Sequence, residues 1–427
     1  MLQVTKTVIF NNLAVTTRLG EVGGADSVGK GRDGMRAIVC GAGIAGLTLA
    51  GELARKGWDV VLLEQAPALR DGGYMIDFSG SGYDAVEQMG LLGKLKTAQR
   101  PIARAEWADS NGKRKAALDY AVFQKSLKGR LLSFMRGDLE RILHESLPAS
   151  VQLRFGCSIE DIKTAEGSVE VKLSDGSSER TDLLVGADGM HSRVRELVFG
   201  DEKQFVRPLG FHAAAYIFED IELHGELQGS FKMASKPGKE VAFYPLDGNK
   251  VASFFIHRTQ ATQRPERPLE ELIKMYGDMQ WHVPESLKKA ESVAEIYYDL
   301  VAQVKMATWH KGRAVLVGDA AYAVSLLAGM GASLAIGGSY VLAHELDTGQ
   351  DIEASLRRYE SGAKDKILHI QESGRRMAGF FAPPSSFRIA VRNALIRIIN
   401  LPVLNRLLAG FLAPATESIV PLPRSSP

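Results

Sequence analysis

Cysteine is almost missing from this chain. Among 427 residues only Cys40 and Cys157 carry a thiol, and neither sits in a C-x-x-C or metal-ligand spacing, which leaves no basis for a disulfide framework, a thiolate metal centre or a dithiol redox motif. Long apolar runs are missing too: no stretch approaches the roughly eighteen residues of a membrane span, and no apolar block precedes a signal cleavage site. Net charge is only +2, so the concentrated basic face that nucleic acid requires is absent. These absences predict a protein of a reducing, cytoplasmic compartment with no nucleic-acid partner and no integral membrane contact. What remains is an ordinary globular composition, 45% hydrophobic and 24% charged, over a length that accommodates two structural units.

Residues 1–34 stand apart from the rest, with six glycines and no sustained period. They read as a flexible extension, with Met35 as an alternative start; Lys6 and Arg18 without an acid raise the rival reading of a presequence, which the Val/Thr/Asn-rich pattern does not support. From Met35 the order is an apolar strand to Cys40, a glycine turn, a helix over Gly46–Lys56 and a strand over Asp59–Glu64, a parallel strand-helix-strand unit. A helix over Gly137–Leu147 and further strands follow, ending in a buried parallel strand over Asp182–Gly186. Alternating runs over His212–Glu219, Ser230–Ala234, Val241–Tyr244 and Val251–His257, the last two joined by Asp247-Gly248-Asn249, predict an antiparallel sheet. Arg313–Val317 returns to a parallel strand, with a long helix over Ser333–Leu346. The fold class is therefore α/β, with a discontinuous Rossmann-like domain over 35–204 and 305–376. An antiparallel-sheet substrate domain over 205–304 is inserted in it, and a C-terminal amphipathic helical segment and tail fill 377–427. The helical part is predicted over Phe387–Leu412, broken near Pro402.

Three turns of glycine and acid carry the chemistry, each after a short apolar run: Gly41-Ala42-Gly43-Ile44-Ala45-Gly46, Gly186-Ala187-Asp188-Gly189 and Gly318-Asp319-Ala320-Ala321. In the first, Gly41 permits the bend, Gly43 lets a pyrophosphate reach the backbone, and Gly46 lets helix and strand pack closely. Glu64 ends the second strand, where a carboxylate accepts hydrogen bonds from an adenosine ribose and repels a 2'-phosphate. The site suits FAD or NAD. Asp319, at a strand end in the ligand crevice, separates the two, because a ribityl or pyrophosphate group needs an acceptor there; the alternative is a helix cap. Gly331 and Ser333 open the next helix, whose N-terminus suits the electron-rich edge of a reduced flavin.

With these residues in place, the chain resembles the class A (single-component) FAD-dependent aromatic hydroxylases, and within them the tetracycline-inactivating and polyketide-tailoring monooxygenases. The likeness covers Met35–Arg376 and rests on the first turn with Glu64, on DLLVGADGMHSRVR (Asp182–Arg195), on Gly318-Asp319-Ala320-Ala321, on Gly73–Gly82 and on Arg136 in RGDLERIL. The resemblance implies that the first turn and Glu64 hold the ADP half of FAD, that Arg136 contacts the flavin side, and that Asp319 meets the ribityl-pyrophosphate region. It implies that Asp188 and Arg193 serve both FAD and a transient NADPH (or NADH). The implied reaction is reduction of FAD, addition of dioxygen at flavin C4a, and transfer of hydroxyl from the hydroperoxide to a phenolic or enolic carbon of an aromatic or polycyclic small molecule.

The chain departs from the family pattern in its third turn. Tyr322 stands where many relatives have His, Leu326 replaces a Pro, and Gly329-Met330-Gly331-Ala332-Ser333 replaces the common Gly-Gln-Gly-x-Asn. His212, Phe231, Met233, Tyr244, Phe254 and His257 are candidate substrate contacts, with sheet packing as the alternative. Arg388, Arg392 and Arg397 alternate with apolar residues in a basic amphipathic helix, which packs on the protein or attaches peripherally to a membrane. A second complete G-x-G-x-x-G and the W-x-W-x-I-P of flavin halogenases are both absent. A flavin-dependent reductase or dehydrogenase on the same fold, or a non-catalytic flavin-binding protein, remain the alternatives. No protein nucleophile is required, the catalytic side chains stay unassigned, and no metal site is expected.

Overall fold

The computed structural model describes residues 34–69, 74–100, 102–349, 351–399 and 418–421. The extension predicted over 1–34 lies outside them except for Gly34, as do Gly73 and the predicted terminal helix beyond residue 399.

The nucleotide half is built on a six-stranded sheet in the order His310–Lys311, Ala314–Leu316, Leu183–Gly186, Arg36–Cys40, Asp59–Glu64, Gln152–Phe155. All pairings are parallel except at the two-residue edge strand. The inner strands are Val/Leu/Ile runs because both faces are covered, leaving no polar position. One covering element is the helix Ile44–Arg55, and packed on it is the helix Gly331–Thr348, which is apolar nearly all round and buried. The Ser339 hydroxyl ties the two, donating to the Ala45 carbonyl at 2.8 Å. Strands Arg36–Cys40, Leu183–Gly186 and Ala314–Leu316 are immediate neighbours. Their carboxyl ends, and so the three glycine turns, therefore emerge side by side.

The second large sheet has seven strands, in the order Tyr297–Val304, Val206–Glu219, Lys250–Arg258, Lys239–Pro245, Ser230–Lys236, Arg104–Ala108, Arg114–Asp119. The first five come from the predicted insert. The last two come from within residues 35–204, and Arg104–Ala108 joins the insert through a parallel pairing with Ser230–Lys236. Local pattern marks a strand but not its distant partner, so this extension of the sheet was not visible in sequence. Alternation assigns the two faces. Tyr216, Phe218, Phe243 and Phe255 point outward beneath the helices Pro268–Tyr276 and Val283–Lys289, while Phe231, Met233, Tyr244 and Phe254 point inward.

A 30-residue helix, Ile352–Phe381, carries the chain from the nucleotide half to the sheet. The following helix, Ser386–Ile399, is the predicted basic segment, and it packs on the protein. Arg392 is buried, its guanidinium 2.6 Å from the Glu240 carboxylate, 2.8 Å from the Ser235 hydroxyl and 3.0 Å from the Phe380 carbonyl. Both side chains of the ion pair are 3% exposed. Among the described residues no helix is long and apolar enough to cross a membrane. Truncating one member of a buried pair strands the other charge, which costs about 3–5 kcal/mol. Arg392→Ala is therefore expected to lower unfolding stability by that amount in urea titrations, whereas Arg388→Ala, at an exposed position, should stay within about 0.5 kcal/mol of the parent.

Candidate active site

A cavity of about 690 Å³ opens where the three turns converge, and it continues to the inner face of the seven-stranded sheet. Its nucleotide end is shaped by backbone. Gly41 has φ +98°, and a Cβ there would fall 2.6 Å from the Ala187 carbonyl oxygen; a Cβ on Gly46 would lie 1.8 Å from the Gly41 carbonyl oxygen. Gly41 is demanded by the second turn packed against it, and Gly46 by the fold of the first turn back on itself. Gly43 is different. Its φ is −78°, and a Cβ would meet no atom of the described residues closer than Glu140 Oε1 at 3.8 Å, so the space beside it is open to the cavity. Gly43 caps the helix Ile44–Arg55 without any side-chain hydrogen bond, leaving first-turn N–H groups to face the cavity, the arrangement that binds a phosphate.

Glu64 lines the same end. Its carboxylate accepts from the Ala42 N–H at 2.8 Å and the Ala66 N–H at 2.9 Å, bracing the turn while retaining lone pairs for a ribose hydroxyl. Asp188 is likewise on the cavity wall, but both its oxygens are engaged within its own turn, by the Ser192 hydroxyl at 2.5 Å and the Val194 N–H at 3.0 Å. Arg193 reaches the cavity margin and pairs with Glu196 at 2.6 Å. The residue that the motif reading passed over is Arg195. It is fully buried and donates to the Met190 carbonyl at 2.6 Å and the Ala320 carbonyl at 3.0 Å, bolting the second turn to the third.

In the third turn Gly318 (φ +65°) precedes Asp319, which lines the cavity and is exposed there. Burial pushes its carboxyl above the usual carboxylate range against the opposing pull of Arg136, and it accepts no hydrogen bond from a described residue. Its oxygens are thus open to a donor from within the cavity. Arg136, on the cavity wall, is paired with Glu140 at 2.7 Å. Gly331 also lines the cavity and starts its helix without a side-chain cap. Ser333 does not line it. Its hydroxyl accepts from the Ser79 N–H at 3.4 Å, because the helix there is pressed against Gly82, whose Cβ would stand 2.6 Å from the Ser333 Cα. Tyr322 also turns away, bonding Tyr359 at 3.1 Å and packing on Trp309.

On the sheet side Phe231, Met233, Tyr244 and Phe254 line the cavity with Trp107, Phe380 and Phe381. Phe231 and Tyr244 stack at 5.5 Å, and the Tyr244 hydroxyl accepts from the Met75 N–H at 2.7 Å, tying the two halves together. His212 and His257 are elsewhere. They sit on the outer face with Tyr298 between them, at 3.3 and 3.2 Å, and burial holds His257 down to about 4. Sequence carried the signal for this: Phe254 and His257 are an odd number of residues apart in one strand and must face opposite ways.

Comparison with known proteins gives this geometry a family. Residues 35–367 match the family described as "FAD binding domain". The chain belongs to that family. A flavin-dependent monooxygenase from an unknown prokaryotic organism is 30% identical over 351 residues, 79% of this chain and 88% of that protein. The uncharacterized protein Rv1260 of Mycobacterium tuberculosis is 32% identical over 328 residues, 76% of this chain and 88% of the relative. The crystal structure of tetracycline destructase Tet(55) superposes with a TM-score of 0.75 at 26% identity, covering 91% of this chain and 98% of that one. The class A flavin hydroxylase fold is thereby shown, and the residues present fit FAD: an open glycine cradle, an uncapped helix end, the Glu64 acceptor and an unpartnered Asp319.

Two outcomes follow from the site. Gly43→Ala should fold like the parent, since its Cβ meets no protein, yet bind FAD at least about tenfold more weakly, about 1.4 kcal/mol; fluorescence titration of the apoprotein measures it. His191, on the cavity margin, is hydrogen-bonded to Glu202 at 3.0 Å and has the Asp299 carboxylate 3.6 Å away; Asp299 foremost, with Glu202, holds its pKa up at about 9 from 6.5. A raised folded pKa stabilises fully below the unfolded value and is lost as pH rises through the folded one. His191→Gln should therefore lower the urea midpoint at pH 6, modestly because the ring is half exposed, and the difference should vanish above about pH 9.

Proposed function

We propose that this FAD-dependent monooxygenase takes electrons from NADPH or NADH and inserts one atom of dioxygen into an aromatic or polycyclic phenolic or enolic small molecule, the other atom leaving as water. The observation that carries this reading is continuity: one cavity runs unbroken from the three turns to the Phe231, Met233, Tyr244 and Phe254 wall. Ligand and cofactor would share one continuous space, as oxygen transfer demands.

Gly41, Gly43 and the helix after them would take the pyrophosphate, Glu64 the ribose, and Asp319, Arg136 and Gly331 the flavin half. Bound FAD supplies the reductive activation of dioxygen, and the protein supplies position and dryness. Apolar walls exclude water from the reacting end, and the flat rings of Phe231, Phe254 and Trp107 offer faces on which a planar substrate stacks. The uncapped N-terminus of the helix Gly331–Thr348 presents partial positive charge, about half an elementary charge, toward the cavity, suited to stabilising an anionic reduced ring.

Turnover under oxygen-18 gas with NADPH and a panel of polycyclic phenols and tetracyclines is the test. One labelled atom per product molecule is expected, together with NADPH oxidation stimulated by the substrate. Product without label from dioxygen overturns the reading, and NADPH-dependent turnover that consumes no oxygen would point to a reductase.

A further inference from the structure

Among the described residues, Asp77 is the acidic side chain on the apolar side of the cavity whose setting the cofactor does not explain. It lies in the strand Met75–Phe78, which pairs with Leu132–Met135. Alternation within that strand separates its neighbours: Ile76 packs into the core of the nucleotide half, whereas Met75 packs with Met135, Tyr244 and Ala252 beneath the seven-stranded sheet. Asp77 shares the Met75 side. It therefore faces the substrate half, in a lobe of the cavity lined by Trp107, Leu118, Tyr120, Phe123, Leu127 and Leu131.

Its surroundings are unlike those of the other cavity carboxylates. Glu140 is paired with Arg136, Asp188 caps its own turn, and Glu64 braces backbone amides. Asp77 is held by two hydroxyl donors, Ser133 at 2.5 Å on one oxygen and Tyr120 at 2.9 Å on the other, and pairs with no cation among the described residues. A carboxylate withdrawn from water into an apolar lobe is costly unless its lone pairs are filled. Each carboxylate oxygen can accept two hydrogen bonds, and here one apiece is supplied by the protein. A residue serving only to tie Ser133 and Tyr120 together would need no charge in this place.

We propose that Asp77 anchors the substrate, accepting a hydrogen bond from a hydroxyl on the planar ligand while the rings pack against Trp107, Tyr120 and Phe123. The proposal rests on the phenolic or enolic monooxygenase reading and adds the recognising residue: ligands bearing a free hydroxyl bind, and their methyl ethers do not bind as well. Ser133 and Tyr120 are positioning residues that fix the carboxylate. The recognition is asymmetric in the way buried polar sites are, because an ether leaves the acceptor unfilled in a dry lobe.

The test uses the FAD-loaded protein and matched pairs of phenol and methyl ether of one to four fused rings, 2-naphthol with 2-methoxynaphthalene among them. Binding is read from perturbation of the flavin spectrum, and NADPH oxidation is followed separately. A hydrogen bond to a charged acceptor is worth enough to give the parent at least about a tenfold preference for phenols. Asp77→Asn should abolish that preference by weakening phenol binding with little change for ethers. Tyr120→Phe should reduce it partly, with flavin spectrum and thermal midpoint controlling for folding. A parent without preference, an Asp77→Asn protein that keeps it, or equal losses for phenol and ether would each overturn the anchor. If phenols stimulate oxygen-consuming NADPH oxidation while Asp77→Asn discriminates as before, the anchor fails and the monooxygenase reading stands. If no phenol stimulates it in the parent, the failure is that of the reading itself.

Discussion

Adjacency of three strand ends is the constraint on which the rest of this protein depends. Parallel strands 36–40, 183–186 and 314–316 are neighbours in one sheet, so turns separated by more than a hundred residues in sequence leave the sheet on the same edge. Close packing then locks them together. Gly41 and Gly46 are spaces required by neighbouring backbone, and Arg195 fastens the second turn to the third through carbonyl oxygens at 2.6 and 3.0 Å. Arg195 contributes no contact to the cavity, yet without it the Asp188 and Asp319 turns would share no direct side-chain bond of this kind. A buried guanidinium can do this because its planar set of five donors reaches several carbonyls from one fixed centre.

The second constraint is a sheet that must serve two interiors. Its outer face is packed by the helices Pro268–Tyr276 and Val283–Lys289 around Tyr216, Phe243 and Phe255, and its inner face is the wall of the cavity. Period-2 alternation makes these assignments unconditional: a residue that packs the outer core cannot also touch the ligand. The long helix Ile352–Phe381 and the Arg392–Glu240 pair hold the C-terminal helix against this sheet, placing Phe380 and Phe381 beside Trp107 in the cavity. The basic helix thus contributes through its one buried arginine, whose charge is spent inside the protein.

Legibility in the sequence followed the range of the interactions. The strands, the helices after them and the residues at the first turn were readable because glycine spacing and apolar runs are local. The pairing of Arg104–Ala108 with Ser230–Lys236 was not, since nothing within either strand encodes a partner more than a hundred residues away. Ser333 was placed by motif position, and the close approach of Gly82 turned its hydroxyl from the cavity. Arg195 lay inside the quoted motif DLLVGADGMHSRVR but was passed over in favour of Arg193. A buried arginine looks, in sequence, like any exposed one. The split between Phe254 and His257 was available from parity alone.

The departures from the family pattern in the third turn have a physical resolution that bears on function. Tyr322 is absorbed into the core, hydrogen-bonded to Tyr359 and packed on Trp309, and so does not alter the cavity lining. Met330, though nearly buried, lines the cavity together with Leu326 and Gly331. The backbone features that a flavin needs, a turn at Gly318, a left-handed Gly329 and an uncapped helix end, are all retained without the usual side chains. Backbone geometry can hold a cofactor while side chains around it change, because N–H groups and close approach do not depend on residue type. The variation at Leu326 and Met330 therefore falls on the wall of the cavity, whose shape depends on the side chains that line it.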